Sequence, residues 1–79
     1  MTTAYIIAKR YFHGDLIAYL RQDKPTGQLS FTAREPIDAL FYPDRADAER
    51  DADAWRDYWS TKGYPGLIAT VEEIKETDA

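Results

Sequence analysis

A chain of 79 residues with 44% apolar residues makes one small domain, spanning residues 1–79, and a domain of that size buries only a modest share of its unfolded surface. With no cysteine and a single histidine, His13, the core is stapled neither by disulfides nor by thiolate–imidazole zinc, so no metal or cofactor is expected. The net charge of −4 disfavours nonspecific attraction to nucleic acid or anionic membranes and suits a basic partner, though solubility alone also accounts for it. The core must come from three Phe, six Tyr and two Trp, since large rings bury the most area per residue.

Tyr5 to Tyr11 is rich in aromatic and β-branched residues and reads as a strand. Phe12-His13-Gly14-Asp15 is a turn, and Leu16 to Gln22 alternates as the returning strand of a hairpin. Asp23-Lys24-Pro25-Thr26-Gly27 is a loop by its turn chemistry, and Leu29 to Thr32 is a short third strand. Arg34 to Ala39 reads as irregular around Pro36, and Leu40-Phe41-Tyr42 as an apolar anchor packed under a helix. Met1 to Thr3 and Thr77 to Ala79 read as frayed ends.

That helix starts at Asp44, a preferred N-cap residue, with Asp47 in its first turn, and stops before Gly63 and Pro65. Ala48, Ala52, Trp55 and Trp59 fall on one face, which predicts a buried seam with small residues at one end and rings at the other. Truncating either tryptophan to alanine is expected to unfold or nearly unfold the domain. Leu67 to Ile74 is the last strand, and Glu72 to Glu76 either continues it, frays or turns helical. The expectation is an α+β domain of order β-β-β-α-β. A small antiparallel sheet of three to four strands carries one helix on one face and leaves the other face wet or open to a partner.

The candidate surface is acidic. Asp47 and Asp51 flank one edge of the helical seam, and Asp53 and Asp57 lie outside it with Glu49 beside Asp53. Arg45, Arg50 and Arg56 stand at three- and four-residue spacings that relieve part of the repulsion. A solvated, salt-bridged face has this pattern, and so does an acidic strip that docks in a basic groove. Tyr58, or the hairpin tyrosine Tyr11, would serve as an aromatic anchor. No catalytic elbow, triad spacing or calcium loop is present, and a helix-surface carboxylate pair lacks the dry pocket that separates two pKa values, so no enzyme activity is expected. A second surface is Tyr5, Ile7, Lys9 and Tyr11 on one side of the first strand, with Tyr19 and Arg21 alongside. An open sheet bearing rings and cations stacks single-stranded nucleic acid, against which the net charge counts.

The strand–strand–strand–helix–strand plan, the run from Phe31-Thr32-Ala33 through Ala39-Leu40-Phe41, and the acidic helix Asp44 to Asp57 resemble the small anti-CRISPR proteins of phages and mobile elements. More specifically, the chain resembles those directed at type I surveillance complexes, type I-C among them. The resemblance covers nearly the whole chain through its plan and carries no motif that assigns roles residue by residue. It implies a stoichiometric inhibitor; the lack of cysteine and of a long apolar run reads separately as a cytoplasmic protein of the host bacterial cell, and a monomer or weak homodimer is expected. Its carboxylates would meet lysines and arginines of a Cascade complex and block target DNA. A single-stranded nucleic-acid module, or a phage regulatory adaptor with some other basic partner, remains the alternative.

Overall fold

Strand pairing, rather than local propensity, sets how long the outer elements run. The computed structural model describes residues 2–76. The strands are β1 (Thr2–Tyr11), β2 (Leu16–Gln22), β3 (Leu29–Ala33) and β4 (Leu67–Glu76), with a helix α1 (Arg45–Thr61) between β3 and β4. The sheet order is β3-β2-β1-β4, antiparallel throughout, which gives the expected α+β plan. β1 and β4 pair along their full lengths, from Thr2 opposite Glu76 to Tyr11 opposite Leu67. Thr2 and Thr3 are therefore laddered rather than frayed, and Glu72 to Glu76 is strand. The expected fraying of Met1 and of Thr77 to Ala79 lies outside the described residues.

β1 and β2 pair only near their hairpin, from Ala8 opposite Tyr19 to Arg10 opposite Leu16. Beyond Ala8 they part, and the segment Leu40–Tyr42 enters the gap. Tyr5 and Tyr42 exchange two backbone hydrogen bonds of 2.8 Å, and the Leu40 N–H donates to the Leu20 carbonyl at 2.8 Å. Extended backbone sends successive side chains to opposite faces. Leu40 and Tyr42 join the cluster of Ile7, Leu20, Ala48, Ala52, Trp59 and Ala69 beneath α1, whereas Phe41 joins Ile6, Ala8, Tyr19 and Ala33 on the far face. The expectation that all three anchor residues pack under the helix thus fails for Phe41. The far face is not open either: Ile6 is 1% exposed, because Ala39 and Phe41 from the β3–α1 connection, with Ile74, pack over it. That connection contains one 3₁₀ turn, Pro36–Asp38, with Pro36 in the first turn where its missing N–H costs nothing.

The helix ends follow from side-chain and backbone chemistry. Asp44 Oδ1 accepts the Ala46 N–H at 3.1 Å, satisfying one orphan donor. At the other end Gly63 adopts φ +86°. The Tyr64 N–H donates to the Trp59 carbonyl at 2.8 Å and the Gly63 N–H to the Ser60 carbonyl at 3.2 Å, the paired bonds of a Schellman cap. No atom outside its chain neighbours lies within 4 Å of a Cβ built on Gly63, so Gly63→Ala is strained only by its backbone. It should cost about 1–2 kcal/mol, measurable by urea denaturation.

The seam reads as expected, with one difference. Ala48 and Ala52 are fully buried and Trp59 is 4% exposed, but Trp55 is only half-buried. The alanines let α1 lie close over β1 and β4, and the rings reach across the sheet. Phe31 of β3 meets Trp55 at a centroid distance of 5.0 Å and Trp59 at 5.3 Å. Among the described residues no helix is long and apolar enough to cross a membrane.

Candidate functional site on the helix

A turn of 100° per residue distributes the five candidate carboxylates round α1 rather than along one strip. Asp47 and Asp51 share a flank with Ala54, Trp55 and Tyr58. Glu49 and Asp53 share the opposite flank with Arg45 and Arg56, and Asp57 stands on the crest. Contacts fix which way each flank looks. The Asp51 and Trp55 side chains meet Tyr42 and Phe31, toward β3, whereas the Arg56 Nε–H donates to the Ala69 carbonyl of β4 at 2.8 Å.

Internal pairing occupies most of these carboxylates. Arg50 bonds Asp47 at 3.0 Å, Arg45 stands 3.7 Å from Glu49, and Arg56 bonds Asp53, the arginine relief that the spacings predict. Such exposed pairs are easily exchanged for an external cation. Asp51 is held differently: the Tyr42 hydroxyl donates to its Oδ2 at 2.7 Å. Only Asp57 of the five has no hydrogen bond or ion pair among the described residues. Next to it Tyr58 is 51% exposed, set edge-on to Trp55 at 5.9 Å with the Lys62 ammonium 5.7 Å from its ring. Ala54, Trp55 and Tyr58 line a shallow apolar depression there. Tyr11 is not part of this cluster. It ends β1 opposite Leu67 and stacks on His13 at 5.3 Å.

Burial, and then the bond to Asp51 and the charges of Asp51 and Asp47, push the Tyr42 hydroxyl well above the usual tyrosine range. A group whose pKa is higher folded than unfolded stabilises the fold fully below the unfolded value, about 10, and loses that contribution as pH rises past it. Tyr42→Phe removes this dependence. Between about pH 10 and pH 11, wild type should lose up to about 1.4 kcal/mol more stability per pH unit than the variant, as read from urea denaturation.

The rival aromatic–basic sheet face does not exist as an open surface. Tyr5 and Ile7 pack against the cluster beneath α1, and the Lys9 ammonium sits 5.4 Å from the Trp59 ring and 5.9 Å from that of Phe31. Tyr19 is buried on the other face, so of that set only Tyr11, at the hairpin end of β1, and Arg21 stand exposed. Sequence reasoning missed the continuous ring chain Phe31–Trp55–Tyr58. The three-residue step from Trp55 to Tyr58 was the local signal; the contribution of Phe31 is non-local. No family model matches this chain, and neither the curated proteins nor the solved structures contain a match.

Proposed function

We propose that this chain is a non-enzymatic protein inhibitor that docks on a cationic surface of a nucleic-acid-handling complex. In its most specific form the reading is an anti-CRISPR protein that occupies the DNA path of a type I effector complex, type I-C included, in the bacterial cytoplasm. The observation that carries it is Asp57 on the crest of α1, a carboxylate with no hydrogen bond or ion pair among the described residues, together with the exposed ring of Tyr58 on the adjoining flank. Tyrosine is a preferred hot-spot residue, giving contact area at low entropic cost. The Asp57 carboxylate, about 100° round the helix from that ring, selects arginine or lysine, which also stack on ring faces. Asp47, within reach on the same flank through an exchangeable surface pair, and the net charge of −4 add steering toward a basic channel.

The test is direct. Purified type I effector complex is titrated with the protein before a labelled target duplex is added. DNA binding should fall to zero near one protein per occupied site. The inhibition should weaken as salt rises from about 0.05 M to about 0.5 M, because the length over which exposed attraction is screened falls from about 14 Å to about 4 Å over that range. DNA binding that persists under molar excess of the protein at low salt would overturn the proposal.

A further inference from the structure

β4 is an edge strand whose outward backbone groups are only partly occupied. Tyr5 spends its N–H and C=O on Tyr42, and the Tyr11 N–H goes to Asp15, so the odd-numbered residues of β1 turn away from β4. Their opposite numbers Leu67, Ala69, Val71, Glu73 and Lys75 therefore turn their own N–H and C=O groups to the free edge. The Leu67 N–H donates to the Tyr64 carbonyl at 3.2 Å, and the Ala69 carbonyl accepts from Arg56 at 2.8 Å. From Val71 to Lys75 no strand or side chain among the described residues takes these groups. An open edge of this kind recruits another strand.

The sequence of the edge selects a second copy of itself, in one register. Two copies related by a two-fold axis pair antiparallel, and their outward groups meet only when the axis passes beside one residue rather than between two. An axis at Val71 or Glu72 brings Ala69 into the ladder, where Arg56 already holds its carbonyl. An axis at Glu73 sets that carboxylate against itself. An axis at Ile74 sets Glu73 opposite Lys75 on both sides of the axis, an attractive cross-strand pair each time. It leaves Glu72 facing Glu76, but the Glu72 carboxylate is bonded by Arg10 at 2.7 Å. The same axis places Ile74 against its own copy on the far face of the sheet. There Pro36, Ile37, Phe41 and Ile74, with Glu35 at the margin, line a largely apolar depression, and Ile37 is 80% exposed. The two apolar patches would close over the seam.

We infer that β4 is a homodimerisation edge, pairing two copies of this chain antiparallel about Ile74 through reciprocal Glu73–Lys75 contacts. This surface lies on the opposite side of α1 from Trp55 and Tyr58, so it stands whether or not the helix docks on a partner. Sedimentation equilibrium over micromolar to millimolar protein should show a monomer–dimer equilibrium, and the Glu73 and Lys75 amides should exchange more slowly as the dimer fills. Glu73→Lys or Lys75→Glu alone should weaken the dimer by about tenfold, because two attractive pairs become repulsive. The double variant Glu73→Lys/Lys75→Glu should recover affinity to within about threefold of wild type. Both side chains are exposed, so unchanged thermal melts are expected of all three. A chain monomeric at every concentration overturns the inference, as does a dimer insensitive to the single reversals or unrescued by the exchange.

Discussion

Trp59→Ala is expected to lose about half of the domain's stability or more, whereas Trp55→Ala is expected to melt as a weakened but intact domain. Trp59 is 4% exposed and closes the space between α1 and three strands, touching Phe31 of β3 at 5.3 Å and lying under the Lys9 ammonium of β1. Deleting a buried indole removes its transfer free energy and leaves a cavity, about 3–5 kcal/mol together. At roughly 0.05–0.15 kcal/mol per residue the whole domain has only about 4–12 kcal/mol to lose. No disulfide supplements the core, as the chain has no cysteine. Trp55 sits one turn earlier, half-buried at the rim, and truncating it opens a groove to water rather than a closed void. Its cost should be nearer 1–2 kcal/mol on the apolar-area scale, about 25 cal/mol per Å2. Urea denaturation followed by far-ultraviolet circular dichroism separates the two. Equal midpoints for the two variants would mean that the burial difference between the rings has no energetic weight, and the packing account of the seam would be wrong.

What the sequence made legible is local, and what it hid is not. Asp44, Gly63 and the Ala48–Ala52–Trp59 spacing identify the helix because capping and periodicity act within a few residues. The turns at Gly14 and the bounds of Leu16–Gln22 are local in the same way. The strand β1 shows where period-two reasoning stops. Both of its faces are apolar, with Tyr5 and Ile7 on one side and Ala4, Ile6 and Ala8 on the other. Alternation separates two faces but does not say which one a helix will cover. Hence Tyr5 and Lys9 pass for an open surface in the sequence and lie beneath α1 in the fold. The entry of Leu40–Tyr42 between β1 and β2 depends on the splay of two strands that a proline-containing segment happens to fill, and no short window contains it. The candidate site divides likewise. The arginine partners of Asp47, Glu49 and Asp53 follow from helical spacing. The Tyr42–Asp51 bond does not, since it joins the Leu40–Tyr42 segment to the helix.

That bond decides how the docking proposal must be probed. Reversing Asp51 would strip the Tyr42 hydroxyl of its acceptor and set an ammonium against the core, so lost activity could reflect a damaged fold. Asp57 and Tyr58 carry no such burden: both are exposed, and Asp57 makes no hydrogen bond or ion pair among the described residues. Asp57→Lys/Tyr58→Ala should therefore melt within a few degrees of wild type yet bind its cationic partner about 100-fold more weakly. A repelled charge and a lost aromatic anchor each carry on the order of 1–2 kcal/mol at an interface. Glu49→Lys is the informative companion. It reverses one acid to one base as Asp57→Lys does, but on the flank that faces β4, away from Trp55 and Tyr58. Calorimetric titration against the effector complex should find Glu49→Lys within about threefold of wild type. If instead Glu49→Lys and Asp57→Lys weaken binding alike, the attraction belongs to the net charge of the molecule and the flank has no special part in it. If neither Asp57→Lys/Tyr58→Ala nor Glu49→Lys matters, α1 is not the docking surface.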